Sequence, residues 1–266
     1  MSLVWSAHIS WLFTEMPYLQ RVGAARRAGF ERIETGWPRE VGDRDGLLAS
    51  VVEHGLGVAL LNCNEGDVAE GERGFLNDAT RREQIEQDFL AAAELAQQLG
   101  ARSLNLLVGR ALADVPLARQ RRHVLAALRE LSVEAKARGL RILLEPLNLI
   151  ENPDYLLASP QAVAEVIERC EPDAVGMLLD VYHVARSGGD PLAEIERYGP
   201  LIGHVQISDF PGRGAPGTGS LALGRMLKAL EAGGYEGSVG LEYVAEASGE
   251  DPIGFLPDAG SPVRLG

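Results

Sequence analysis

The 266-residue sequence predicts a closed (β/α)8 barrel, the TIM-barrel architecture, built as one domain. Three observations carry that expectation. Short runs rich in aliphatic and β-branched residues alternate with longer helical stretches along the chain. They recur at about one per 33 residues, the size of a βα unit. No Pro/Ser-rich linker or change of composition divides the chain, and no GxGxxG follows the first run, which disfavours an open dinucleotide-binding sheet. Strict β-then-α order implies parallel strands joined by right-handed crossovers.

The expected strands are Leu3–Ser10, Arg32–Trp37, Gly57–Cys63, Ser103–Gly109, Leu140–Pro146, Val175–Asp180, Ile202–Asp209 and Val239–Tyr243. Helices fill the intervals. Thr80-Arg81-Arg82-Glu83 has the form of a capping box, and Ile85, Phe89, Ala92, Ala96 and Leu99 follow at helical spacing until Gly100. Leu117, Arg121, Val124, Leu128, Leu131 and Ala135 make a second amphipathic face, closed by Gly139. Ser159-Pro160 and Asp190-Pro191 each set an N-cap before proline at the first helical position. Leu221–Ala232 is a further helix, stopped by Gly233-Gly234. Residues 1–266 are read as one domain with an irregular tail after about residue 246, where Gly, Pro, Ser and Asp accumulate.

Composition narrows the function. Hydrophobic residues make up 46% and charged residues 24%, an ordinary globular balance that can bury a core without staples. Two cysteines, Cys63 and Cys170, exclude a disulfide scaffold and a Cys-rich zinc module, and fit a reducing compartment. Lys and Arg number 25 against 38 Asp and Glu, a formal net charge of −13 that repels phosphate backbones and anionic lipid. No nucleic-acid partner is expected. No apolar run reaches the length of a membrane span, and the N-terminus reads as a first strand rather than a signal peptide, so the expected compartment is the cytoplasm.

Barrel chemistry sits at the carboxyl ends of the strands. There the last four expected strands deliver Glu145, Asp180, Gln206 and Glu242, spaced 35, 26 and 36 residues apart. One carboxylate at a strand end is ordinarily a cap or a solvated loop residue. Four polar groups on four successive strands converge on one mouth. Three carboxylates in one small volume repel each other, and a divalent cation resolves this. The donors are all oxygen, which suits Mg²⁺ or Mn²⁺ better than Zn²⁺.

Other polar residues are weaker signals. His183 travels with Asp180 and is expected beside the metal or against the substrate, rather than as a packed loop histidine. His204 shares strand parity with Gln206 and reads equally well as a hydrogen-bonded core histidine. His8 ends the first strand, while His54 and His123 fall on helical segments. Arg213, on the Pro/Gly-shaped loop after the seventh strand, is placed to clamp a substrate carboxylate. Glu72 and Arg73 lie on a polar loop after the third strand, where Glu72 is a candidate substrate contact and a surface ion pair is the plainer alternative.

Taken together, these motifs resemble the hydroxypyruvate isomerase family within the xylose-isomerase-like barrel superfamily. The resemblance runs from about residue 7 to 244. It is carried by Ser10-Trp11-Leu12-Phe13-Thr14-Glu15, Ala28-Gly29-Phe30, Gly66-Asp67-Val68-Ala69-Glu70-Gly71-Glu72-Arg73-Gly74 and Glu145-Pro146-Leu147-Asn148. Asp180-Val181-Tyr182-His183, Gly203-His204-Val205-Gln206-Ile207-Ser208-Asp209, Pro216-Gly217-Thr218-Gly219 and Gly240-Leu241-Glu242-Tyr243 complete it. It implies a metal held by Glu145, Asp180, Gln206 and Glu242, with Glu145 and Glu242 moving a proton between adjacent carbons through an enediolate. The implied reaction interconverts hydroxypyruvate and tartronate semialdehyde (2-hydroxy-3-oxopropanoate).

The chain departs from the family pattern at Val68, where Trp is usual, at Asn64, where Pro is usual, and at Ser220, where an acid is usual. These positions bear on substrate identity more than on reaction type, and a related 2-oxo acid such as an oxo-tetronate, or a ketose, suits the same machinery. The expected partner is therefore a small 2-oxo acid or sugar; self-association into a homo-oligomer stays open. The alternatives are a sugar 3-epimerase, a ketose isomerase or an inosose dehydratase on the same barrel. An AP-endonuclease-like activity is disfavoured by five histidines and the acidic charge. A non-catalytic binding protein is disfavoured by the pair Glu145 and Glu242.

Overall fold

The computed structural model describes residues 3–171 and 173–245; the expected irregular tail lies outside them. Its strands are β1 (Val4–His8), β2 (Arg32–Thr35), β3 (Gly57–Asn62), β4 (Ser103–Asn105), β5 (Arg141–Leu144), β6 (Val175–Asp180), β7 (Ile202–Ile207) and β8 (Ser238–Leu241). They close in sequence order into a barrel, with β1 pairing to β8 through Val4↔Ser238 to Ala7↔Leu241. Every pairing is parallel. The helices are α1 (Gln20–Arg27), α2 (Val41–His54), α3 (Arg82–Leu99), α4 (Leu117–Ala137), α5 (Pro160–Ile167), α6 (Val181–Arg186), α7 (Pro191–Tyr198) and α8 (Leu223–Ala232). No helix among the described residues is long and apolar enough to cross a membrane.

All eight expected strands are present, and most stop short of their expected ends. β1 ends at His8 because its carbonyl accepts the N–H groups of Trp11 and Leu12, both at 2.9 Å, and turns the chain into the mouth. Ser159 and Asp190 cap α5 and α7 as expected, accepting from Ala162 N–H at 3.2 Å and Leu192 N–H at 3.0 Å.

The box at Thr80 does not form. Asp78 caps instead, accepting from the Thr80 N–H at 2.9 Å and from its hydroxyl at 2.6 Å, so a short 3₁₀ turn precedes α3. On α4, Leu117 lies exposed and Gln120 is buried in its place. The Gln120 side chain accepts from Asn77 and Leu112 and donates to the Leu112 and Val115 carbonyls, so the loop before α4 satisfies an amide where apolar periodicity would put a leucine.

Period-two alternation splits the strand residues into two sets. Ala7, Ile33, Ile142, Leu144, Leu179, Val205, Val239 and Leu241 pack outward into the main core beneath the helices. The opposite set fills the barrel. Leu60, Leu143 and Leu178 form a small apolar cluster of their own. The rest of the lining is polar: Ser6, Glu34, His204 and Gln206 are all fully or almost fully buried. Gly240 on β8 makes room for this layer, since a Cβ there would stand 2.1 Å from Glu34 Oε1.

That close approach yields a stability prediction. Gly240→Ala should overpack the barrel against a carboxylate that cannot retreat, costing about 1–3 kcal/mol. Gly212→Ala, where a Cβ meets nothing within 4 Å, should change stability by no more than about 0.5 kcal/mol. Denaturant unfolding of the two variants beside the parent measures both, and equal stabilities would refute the packing argument.

Candidate functional site

The carboxyl ends of β5 to β8 bring four predicted residues into one buried cluster. Glu145 follows β5, Asp180 ends β6, Gln206 lies near the end of β7, and Glu242 follows β8. Asp180 and Gln206 are direct pairing partners on neighbouring strands, after a register shift between Met177 and Leu178 re-aims the end of β6. All four side chains are at least nine-tenths buried.

Each acid has a distinct tether. Glu145 Oε2 accepts from Asn105 Nδ2 at 2.8 Å. Asp180 Oδ1 accepts from the Tyr182 N–H at 2.9 Å and so caps α6, a helix absent from the sequence expectation. Glu242 Oε1 and Asp180 Oδ2 share one Arg213 nitrogen, at 2.6 and 3.3 Å. The Arg213 guanidinium lies over the Trp11 ring, 4.2 Å from its centroid, and 5.0 Å from that of Tyr182. Its Nε is buried without a partner. Arg213 itself sits at φ +53°, a left-handed backbone that residues other than glycine adopt rarely and at a cost.

This much buried negative charge shifts the acids upward. Burial pushes Glu145 well above the carboxylate range, and the charges of Glu242 and Asp180 push it further. Asp180 and Glu242 are each raised to about 7, chiefly by burial, with Arg213 pulling the other way. One arginine does not neutralise three carboxylates. Gln206 sends Nε2 to Glu34 at 2.9 Å, and its Oε1 is left buried and unpartnered. An orphaned amide oxygen beside three crowded carboxylates is a donor set that fits a hard divalent cation.

His183 completes a second grouping. Its ring lies with Glu145 and Asp180 in a set whose donor atoms fall within 4.8 Å of one another, a group able to hold a metal ion. Its Nε2 is 3.6 Å from Asp180 Oδ2 and 3.8 Å from Glu145 Oε1. Burial and then the Arg213 charge hold the imidazole well below its ordinary range, so these contacts are not ion pairs. Nδ1 accepts the Asn148 N–H at 3.3 Å, which leaves the ring proton on Nε2, facing the acids. A protonated Nε2 is a hydrogen-bond donor, which favours Gln206 over His183 as the fourth ligand.

Glu72 is not in the cluster. Its carboxylate accepts from the Asp67 N–H at 2.7 Å and pairs with Arg81 at 2.7 Å, tying its own loop together. Neighbouring Arg73 donates to Asn152 Oδ1 at 2.7 Å. His8 is buried inside the barrel with Nδ1 unpartnered. His204 is a hydrogen-bonded interior histidine, 2.8 Å from Glu34 Oε1. His54 packs its ring against Gly23 on α1, and His123 approaches the Asn77 carbonyl, both away from the barrel interior.

Three contributors escaped the sequence reading. Glu34 on β2 is fully buried beneath the cluster. Asn105 on β4 tethers Glu145, and Glu65 after β3 is a further acid, raised by burial and held by Asn62 Nδ2 at 2.5 Å. Only Asn105 was visible as a polar residue interrupting an apolar run, Leu104-Asn105-Leu106; Glu34 stands in the polar-rich stretch Glu31-Arg32-Ile33-Glu34-Thr35 and carried no such signal.

A closed parallel barrel with a buried acid cluster at the carboxyl ends of its strands is the architecture of a barrel enzyme. A family described as "Xylose isomerase-like TIM barrel" matches residues 22–258. A putative hydroxypyruvate isomerase of Streptomyces coelicolor is 38% identical over 93% of this chain and 91% of its own. The hydroxypyruvate isomerase of Escherichia coli is 30% identical over 96% and 98%. A 2-oxo-tetronate isomerase of Haemophilus influenzae is 31% identical over 90% and 92%. Among solved structures, one titled AP endonuclease, family 2, from Brucella melitensis, superposes with a TM-score of 0.89 at 28% identity, covering 96% and 97%. The chain belongs to the hydroxypyruvate isomerase family of xylose isomerase-like TIM barrels, and it is an isomerase.

The raised acids predict a pH-dependent response to metal. Without metal, the folded state favours their neutral forms up to about pH 7, whereas unfolded carboxyls ionise near 3.8 and 4.5. Their contribution to stability is complete below those unfolded values and is lost as pH rises through about 7. A cation competes with the same protons. At one fixed concentration, about 100 times its Kd at pH 8, Mn²⁺ should therefore raise Tm by roughly 5–10 °C at pH 8 and much less at pH 5. Thermal unfolding of metal-stripped protein at both pH values tests this, and equal shifts would contradict it.

Proposed function

We propose that this isomerase is metal-dependent and interconverts hydroxypyruvate and tartronate semialdehyde. The observation that carries the reading is the burial of Glu145, Asp180 and Glu242 at the carboxyl ends of β5, β6 and β8, with Gln206, the strand partner of Asp180, leaving its Oε1 unpartnered. These four residues would hold Mg²⁺ or Mn²⁺. When bound, the cation supplies polarisation of the substrate carbonyl and stabilises the charge that develops on its oxygen.

The remaining chemistry falls to side chains. Glu145 and Glu242 divide the proton work. One carboxylate takes a proton from the hydroxyl-bearing C3 of hydroxypyruvate, leaving an enediolate across C2 and C3. A proton returned to C2, with the hydroxyl proton moved from O3 to O2, gives the isomeric aldehyde with no atom or electron gained or lost. Burial makes both glutamates better bases than an exposed carboxylate, and positioned acid–base groups contribute about 10²–10⁴-fold. His183 offers its Nε2–H to a substrate oxygen between Asp180 and Glu145. Arg213 has a buried, unpartnered Nε beside a guanidinium nitrogen that already meets the acids, and we assign it to the substrate carboxylate.

A larger substrate of the same class is the second reading. It is favoured by the 2-oxo-tetronate isomerase relative and by Val68, which opens space where the family usually carries Trp. The same proton transfer serves a four-carbon 2-oxo acid.

Incubation with a panel of small 2-oxo acids and ketoses in D₂O decides between these substrates. Chelation should abolish turnover, and Mg²⁺ or Mn²⁺ should restore it. Glu145→Gln and Glu242→Gln should each lose at least about 10²-fold in substrate–solvent exchange. A variant that retains its metal and still exchanges at the parent rate does not carry the base, and two such variants would refute the mechanism. Arg213→Ala should weaken acidic substrates by about 2–5 kcal/mol and spare neutral ketoses. Equal losses for both would assign Arg213 to folding the loop.

A further inference from the structure

We propose that Glu34 is a positioning residue for the metal centre, fixing the rotation of the Gln206 amide so that Oε1, not the NH₂ group, faces the acid cluster. This rests on the assignment of Gln206 as a metal ligand. An amide has nearly the same shape in either orientation, so its packing does not choose between them. The choice is decisive here, because the carbonyl oxygen coordinates a hard cation and the NH₂ group cannot.

The selector lies one layer below. Glu34 Oε2 stands 2.9 Å from Gln206 Nε2, and Glu34 Oε1 takes His204 Nε2 at 2.8 Å and the Ser6 hydroxyl. Three side chains from β1 and β7 thus converge on one carboxylate of β2, all of them buried. A carboxylate offers only acceptors. An amide turned the other way would press oxygen against oxygen, lose a charge-assisted hydrogen bond and turn its NH₂ toward the metal. Room for this acid is itself built in, since Gly240 leaves the space that a Cβ would take from Glu34. The register shift between Ile33 and Glu34 in the β2–β3 pairing sets the side chain at this level of the barrel.

Partners of this kind, which aim a ligand without touching the metal, typically matter by 10–100-fold in metal affinity. Mn²⁺ binding to the metal-stripped, full-length protein, measured by calorimetry and by EPR of free Mn²⁺, reads the effect without turnover. Glu34→Gln is nearly isosteric and accepts either amide orientation. It should weaken Mn²⁺ by about tenfold to a hundredfold. Gln206→Ala should weaken Mn²⁺ as well. Adding Glu34→Gln to Gln206→Ala should then change the affinity less than about twofold, since the group being aimed is gone. An equal penalty in both backgrounds would overturn the proposal, because Glu34 would then act on the site generally. An unchanged affinity in Glu34→Gln, with Gln206→Ala impaired, would overturn it and leave the metal reading intact. Unchanged binding in Gln206→Ala would overturn the assignment of Gln206 and this proposal with it. Glu34→Asp keeps the charge for His204 but draws back from Gln206 by one methylene. It should weaken Mn²⁺ in the same direction, so the question stays answerable if Glu34→Gln fails to fold; parent affinity in the aspartate variant would overturn the proposal.

Discussion

The mouth of this barrel is organised by one electrostatic conflict: three carboxylates held out of water within reach of one another. Burial is the chief cause that raises Glu145, Asp180 and Glu242, and repulsion from neighbouring carboxylates adds to it in each. A soluble fold ordinarily avoids such an arrangement, because an unpaired buried charge costs several kcal/mol. It persists here because each acid is anchored by a strand end whose outward neighbours are core residues. Leu144, Leu179 and Leu241 bury on the helix side and thereby force Glu145, Asp180 and Glu242 inward. The core is the clamp that holds the acids together.

The same parity explains the layer beneath. Positions two residues back from Gln206 and Glu242 on their strands are His204 and Gly240, and both serve Glu34. Burial works against the Glu34 charge, but the charge and hydrogen bond of His204 outweigh it and hold the carboxyl below its ordinary range. The barrel thus stacks two kinds of acid. Glu34 below is matched by donors and stays charged, while the acids above lack enough donors and favour protons or a cation. Two residues along each strand, about 6.6 Å, separate a structural hydrogen-bond hub from the acid cluster.

Much of this was legible in the chain. Strand parity and βα spacing placed Glu145, Asp180, Gln206 and Glu242 at one mouth, because barrel geometry leaves little freedom once eight units are counted. Arg213 was legible as a residue near the acids, but not its hydrogen bonds to Asp180 and Glu242. Those depend on the path of the loop after β7, and loops carry no periodicity. Glu72 looked similar to Arg213 in sequence, yet its loop folds back on Arg81 instead of reaching the acids. Glu34 was overlooked for another reason. Among the charges of Glu31-Arg32-Ile33-Glu34 it looks like any surface acid, and it stands out only when His204, 170 residues away, is seen to meet it. Such a pairing is a property of closure and has no local trace.

Closure also bears on the histidines and so on the kind of metal chemistry this barrel can host. The structural likeness to a protein titled AP endonuclease invites the thought of a histidine-rich centre. Nearly every histidine here is spent or placed elsewhere. His204 is committed to Glu34, and His183 has Nδ1 taken by Asn148, leaving a donor toward the acids. His54 and His123 lie outside the barrel interior. Only His8 remains inside with an open nitrogen, and burial keeps it neutral beside Glu34 and Glu65. What faces the mouth is oxygen: three carboxylates and an amide. Oxygen donors suit hard cations, whereas imidazole and thiolate donors suit zinc. Two barrels of one shape can therefore differ in chemistry through the side chains on a few strand ends, with the frame unchanged.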